Sequence, residues 1–204
     1  MTDTSSQPVV FVVDDDISVR EALESLIRFS GWQTEVFATA TDFLARPKES
    51  RPCCMVLDVH LPDLNGLELQ ERIASPRGEM PIIFISGVGD IPTTVRAMKA
   101  GAIEFLPKPF SDDVLLDAIR QAIGRSQSVL AEEEEFRELR ENYASLSDRE
   151  REVMDLVVTG LMNKQVGGRL GISEITVKAH RGRVMQKMKA KSLADLVGMA
   201  AKLR

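Results

Sequence analysis

Residues 9–16 read VVFVVDDD: five apolar residues, Val9 to Val13, then Asp14, Asp15 and Asp16. An unbroken apolar run this short suits a strand covered on both faces, as in a parallel sheet. Working outward, Thr34–Phe37, Cys53–Leu57, Ile82–Ile85 and Ile103–Leu106 read as four further strands. The second and fifth are less regular, because each contains a glutamate, Glu35 and Glu104. Helical segments fall between and after them: Ser18–Ser30, Thr41–Ala45, Gly66–Ser75, Thr93–Ala100 and Asp112–Gly124. Ser18 is placed to cap the first, and Gly31 and Gly101 to end the first and fourth. Five strand–helix units of this size predict a doubly wound five-stranded parallel sheet, with its site at the carboxyl ends of the strands.

That edge is acidic. Asp14, Asp15 and Asp16 follow the first strand, Asp58 ends the third, Ser86 ends the fourth, and Lys108 follows the fifth. An aspartate run after a strand can be a helix cap with surface charge. Asp58, Ser86 and a Lys-Pro pair at successive strand ends point instead to a shared site. Clustered carboxylates repel one another unless a cation neutralises them. Magnesium suits them, since it takes one or two carboxylates and keeps several waters. Asp15 and Asp58 can each supply a ligand, Asp14 can act through water, and the backbone oxygen of His60 can add another. A carboxylate so placed can attack a phosphoryl group in line, while Lys108 and the Ser86 hydroxyl meet its oxygens.

The 204 residues carry a net charge of -5, unevenly spread. Residues 1–144 sum to -11 and residues 145–204 to +6. A basic module beside an acidic one suggests nucleic acid as the partner of the second. No apolar run approaches the ~18 residues of a membrane helix, and the polar stretch Met1–Pro8 does not read as a signal peptide. A cytoplasmic setting is expected. Cys53 and Cys54 are neighbours on one strand, point to opposite faces, and read as free thiols.

Residues 125–144 change character. Glu132 to Glu135 precede Arg137, Glu138, Arg140 and Glu141, while Val129, Phe136, Leu139 and Tyr143 recur at spacings of seven, three and four. This predicts an extension of the preceding helix with a narrow apolar stripe. The stripe either faces a partner in a dimer or lies on a solvated linker. From Ser145 the pattern is all helical. Ser147 and Glu150 form a capping box for Asp148–Thr159. Asn163–Leu170 ends at Gly171, Ser173 caps Glu174–Lys189, and Ser192–Leu203 closes the chain. The turn Gly171-Ile172-Ser173 between two helices is the helix-turn-helix spacing. In the helix after it Ile175, Val177, Val184 and Met188 are the apolar positions. Lys178 and Arg181 share a face with Gly182. Thr176, Arg183, Lys187 and Lys191 can meet phosphates on either side, giving salt-dependent affinity in the major groove.

The stretches VVDDD, VLDVHLPDLNG, FISG and FLPKPF resemble the receiver domain of response regulators across residues 8–124, a flavodoxin-like fold. GDIPTTVRAMKAGAIEFLPKPF, residues 89–110, resembles the FixJ subgroup. The resemblance implies Asp58 as phosphoacceptor, Asp14 and Asp15 as the acidic pair, Lys108 as the phosphoryl-site lysine, Ser86 as the switch hydroxyl and Phe105 as the switch aromatic. Ser86 stands where threonine is commoner, Phe105 where tyrosine is frequent, and His60-Leu61 in place of a more usual Arg-Met. Residues 146–197 resemble the LuxR-type helix-turn-helix domain of the FixJ/NarL family. In that pattern Asn163, Lys164 and Lys187 tend towards the DNA backbone, and Lys178, Ala179 and Gly182 towards base edges. With Gly182 bare, base reading leans on Lys178 and Arg181, helped by His180. Gly167, Gly168 and Gly182 depart from common helix formers, each at a cost of up to ~1 kcal/mol relative to Ala.

The expectation is therefore a receiver at 8–124, a helical linker at 125–144 and a four-helix DNA-binding domain at 145–204. A sensor histidine kinase would donate its phosphoryl group to Asp58. Dimerisation near Ile91–Phe105 and promoter DNA binding would follow, most simply to activate transcription with RNA polymerase. No enzyme output is expected, since nothing after residue 145 offers a nucleophile–base pair or a metal cluster. The competing reading is a DNA-binding scaffold that keeps its receiver only to dimerise. The intact Asp14, Asp15, Asp58, Ser86 and Lys108 set argues against it.

Overall fold

The computed structural model describes residues 7–74, 80–87 and 91–203. Ser75, expected to end a helix, and Gly89-Asp90 of the FixJ-like stretch lie outside them. The chain divides into two compact units, Met1–Ala131 and Glu132–Arg204.

In the first unit the strands are β1 (Val9–Val13), β2 (Gln33–Phe37), β3 (Cys53–Asp58), β4 (Ile82–Ser86) and β5 (Glu104–Pro107). They pair in the order β2-β1-β3-β4-β5, every pair parallel. The helices are α1 (Ile17–Phe29), α2 (Ala40–Ala45), α3 (Gly66–Ala74), α4 (Ile91–Lys99) and the first part of α5 (Asp112–Ala144), whose residues from Glu132 belong to the second unit. Alternation along the strands divides the core in two. Phe11, Met55, Leu57 and Phe84 face Phe43 of α2, Leu69 and Ile73 of α3 and Ala97 of α4. Val10, Val12, Val56, Ile83 and Ile85 face Leu23 and Ile27 of α1 and Leu115 and Ile119 of α5. Cys53 belongs to the first layer and Cys54 to the second, and both are free. Burial raises both thiols, Cys53 to about 11.

Local boundaries differ from expectation where side chains outbid periodicity. Asp16, not Ser18, caps α1: its carboxylate accepts from the Ser18 N–H at 2.8 Å. Thr39 caps α2 in the same way. In the second unit α6 (Asp148–Val157), α7 (Asn163–Leu170), α8 (Glu174–Lys187) and α9 (Leu193–Lys202) follow. Helix α8 stops two residues early, because Met188 ends it and Lys189 adopts φ 56°.

The apolar stripe after residue 125 has its partner within the chain. Phe136, Leu139 and Tyr143 pack on the core of their own second unit, with Met154, Val166, Val184, Met188 and Leu196. Four short helices offer little apolar area, so the final turns of α5 complete that core. Those three residues therefore leave little of the stripe for a partner chain or for water.

Candidate functional sites

Parallel register brings β1, β3, β4 and β5 to a common edge, and the expected acidic residues meet there. Asp14 and Asp58 are 1% and 6% exposed, and Ser86 is fully buried. Lys108 Nζ donates to Asp14 Oδ2 at 2.7 Å and to Asp58 Oδ1 at 3.2 Å, bridging residues from three strands. The other Asp58 oxygen accepts from the His60 N–H at 3.1 Å. Asp14 Oδ1 accepts from the Asp16 N–H at 2.9 Å, and the Asp14 carbonyl from Arg20 at 2.6 Å. Asp15 is exposed beside them. Phe105 is buried and stacks on Phe84 with ring centroids 6.2 Å apart.

Burial raises the Asp58 carboxyl above its ordinary value, and the neighbouring Asp14 charge adds to this against the pull of Lys108. Burial works to lower Lys108, but its bond to Asp14 and the two carboxylate charges outweigh it, so it is raised. Among the described residues no three Asp, Glu, His or Cys side chains close into a metal cage. Magnesium does not require one, since one or two carboxylates and water suffice. Two buried carboxylates sharing a single lysine ammonium leave the negative charge that a divalent cation offsets, so the donor set fits the ion.

Two residues of this loop region escaped the sequence reading. Asp63 accepts from the Thr41 N–H at 2.8 Å, the Thr41 hydroxyl at 2.6 Å and the Ala40 N–H at 3.2 Å, tying the loop after Asp58 to the start of α2. Those bonds, the Thr41 hydroxyl foremost, lower its carboxyl. A partner 22 residues away in sequence leaves no local signal. Gly66 opens α3 where a Cβ would lie 2.5 Å from the Asp58 carbonyl oxygen and 3.1 Å from Val59 Cα. Only glycine lets α3 start so close to the end of β3.

In the second unit Val177, Val184 and Met188 are buried, leaving the opposite side of α8 to solvent. Lys178, Ala179, Gly182 and Arg183 are exposed there, as are Thr176, Lys191 and Lys164. Other expected contacts turn inward. Arg181 is half-buried and donates to Asn163 Oδ1 at 3.2 Å, joining α8 to the start of α7. His180 is half-buried, its enclosed Nδ1 without a hydrogen-bond partner. Lys187 donates to Glu150 Oε2 at 2.6 Å and to the Ser145 carbonyl at 2.9 Å. Glu150 is 3% exposed, also closes the capping box on Ser147, and is lowered to about 2, chiefly by Lys187. The ammonium expected at a phosphate is thus engaged at the base of α6, because a buried carboxylate demands a charged partner. Ile175, one of the four apolar positions of this helix, is 82% exposed, whereas the other three are buried. Two residues from Val177 on a helix, it lies roughly 200° around from it.

Gly167 also has a reason that helix propensity hides. A Cβ there would stand 2.7 Å from the Ile172 carbonyl oxygen, so glycine permits the tight approach of turn and helix. Gly168 and Gly182 have nothing within 4 Å. Among the described residues, no helix is long and apolar enough to cross a membrane.

Comparison with known proteins agrees with this geometry. Residues 10–120 match the family described as response regulator receiver domain, and residues 144–200 that described as bacterial regulatory proteins, luxR family. Nodulation protein W of Bradyrhizobium diazoefficiens is 48% identical over 202 residues, covering 99% of this chain and 89% of that protein. The transcriptional regulatory protein FixJ of Rhizobium meliloti is 40% identical over 191 residues, 94% of each chain. Among solved structures, the response regulator StyR superposes with a TM-score of 0.88 at 48% identity, covering 97% of this chain and all of that one.

Proposed function

The chain belongs to the response regulators that join a receiver domain to a LuxR-type DNA-binding domain, and on that premise we propose that a phosphoryl group carried by Asp58 controls how its second unit binds promoter DNA. The observation that carries this reading is the buried Asp58 carboxylate linked to Asp14 through Lys108. An Asp58 oxygen attacks the phosphorus of a phosphohistidine on a sensor kinase. The new P–O bond forms as the P–N bond breaks, and the departing imidazole takes a proton.

Asp14, Asp15, Asp58 and the His60 carbonyl would hold magnesium, which when bound supplies positive charge to the phosphoryl oxygens. Lys108 is already at the site and turns its ammonium to one of those oxygens. The Ser86 hydroxyl donates to another. Phe105 has no hydroxyl to exchange partners, so any aromatic movement in this chain is a change of packing against Phe84.

Ile91, Val95 and Met98 recur at spacings of four and three on the exposed side of α4. They form the apolar line through which two phosphorylated receivers would pair. On DNA, the exposed Lys178, Ala179 and Gly182 line of α8 enters the major groove. Lys164, Thr176, Arg183 and Lys191 serve phosphates on either side. Lys187 is reassigned to holding α8 against α6. Contact with RNA polymerase and activation of transcription complete the reading.

The test is chemical labelling. A small-molecule phosphodonor with magnesium should add one hydrolytically labile phosphate to the chain, and Asp58→Asn should abolish it. Full labelling of Asp58→Asn would remove the phosphoacceptor assignment.

A further inference from the structure

The outward line of α8 contains one large apolar side chain. Ile175 sits in the first turn, 82% exposed, while Val177 beside it is fully buried. It precedes Lys178, Ala179 and Gly182 by three, four and seven residues, so all four share one helix face, and all four are exposed. The fold does not call for isoleucine here. Its side chain joins no core cluster, and β-branching makes it a poorer helix former than alanine.

The major groove supplies the apolar contact that the second unit withholds. Of the four bases thymine alone presents a methyl group there, and apolar side chains read it. Residues at the amino-terminal end of a recognition helix reach the base edges first. Gly182, bare at the far end of the same face, leaves the approach open. We propose that Ile175 is a specificity-determining residue that packs on the 5-methyl group of one thymine and discriminates that base pair. This rests on the reading that α8 enters the major groove. Lys178, one turn later, adds a polar contact to a neighbouring base, and the Ala179 methyl extends the apolar strip.

The experiment is a chemical double-mutant cycle on the full chain treated with a small-molecule phosphodonor and magnesium. A duplex is first selected by the wild-type chain from a random-sequence library. Each thymine is then replaced in turn by deoxyuridine, which removes only the methyl. One replacement should weaken wild-type binding roughly three- to tenfold. Ile175→Ala should weaken binding to the unmodified duplex by a similar factor and be indifferent to that same replacement. Its salt dependence should equal that of wild type, since no phosphate contact is lost. Because Ile175 is exposed, the variant should unfold with wild type.

Equal deoxyuridine effects in both proteins, wild-type affinity of Ile175→Ala for the selected duplex, or a lowered salt slope would each overturn the inference. Failure of the wild-type chain to select any duplex would be a separate result. It would overturn the DNA-binding reading beneath the inference.

Discussion

Gly167→Ala and Gly168→Ala make a paired perturbation at adjacent positions of α7. In an unencumbered helix each replacement would stabilise by up to ~1 kcal/mol. At Gly168 nothing lies within 4 Å, so that gain should appear in full. At Gly167 the added Cβ would stand 2.7 Å from the Ile172 carbonyl oxygen, and relief to ordinary contact at 3.4 Å takes roughly 0.7 Å of movement. That carbonyl has little freedom. The same residue's N–H donates to Gly167 O at 3.1 Å, and Ile172 stands between Gly171 at φ 67° and the Ser173 cap of α8. Overpacking against such a neighbour costs about 1–3 kcal/mol, so after the ~1 kcal/mol gain in helix propensity Gly167→Ala should destabilise by up to ~2 kcal/mol. The shared propensity gain cancels between them, so Gly167→Ala should be less stable than Gly168→Ala by ~1–3 kcal/mol. Denaturant unfolding of the full chain followed by circular dichroism measures this, while the single tryptophan, Trp32, tracks the first unit separately. If Gly167→Ala were as stable as Gly168→Ala, the account of the turn between α7 and α8 would be wrong.

Gly66→Ala should destabilise the first unit by about 1–3 kcal/mol and slow labelling of Asp58, because its Cβ would collide with the Asp58 carbonyl 2.5 Å away; unfolding followed by Trp32 and phosphodonor labelling test both effects. Lys187→Met should leave the salt slope of DNA binding at the wild-type value, whereas a lost phosphate contact would lower it by about one. The same change should destabilise the second unit by roughly 1–3 kcal/mol, since Glu150 loses its charged partner. Glu150, lowered from 4.5 to about 2, contributes stability that is complete above pH 4.5 and lost as pH falls towards 2. With solvent screening at the half-exposed lysine that contribution is about 1–2 kcal/mol, and acid titration of unfolding should show it diminished in Glu150→Gln.

The doubly wound sheet was legible because its strands are short apolar runs and its acidic residues stand at their ends. Asp58 and Lys108 are 50 residues apart in sequence, yet parallel register leaves no other edge for them to share. Asp63 was not legible, because its partners on α2 are set by loop closure. Lys187 was read as a free cation because charge patterning cannot show that a buried Glu150 waits for it. Ile175 and Val177 are alike in apolar character, and only their angle around α8 separates the exposed side chain from the buried one. Gly167 and Gly168 looked alike in sequence, and only the Ile172 carbonyl separates them. The stripe through Phe136, Leu139 and Tyr143 was recognised as apolar, but a narrow stripe carries no sign of which surface it covers.

The central claim is that a phosphoryl group on Asp58 governs DNA binding. Its most direct test measures the affinity of the full chain for a duplex selected from a random library, with and without a small-molecule phosphodonor and magnesium, in wild type and in Asp58→Asn. The account predicts tighter binding by the treated wild-type chain and no change in the treated variant. Equal affinity of wild type in both conditions, or the same gain in Asp58→Asn, would contradict it.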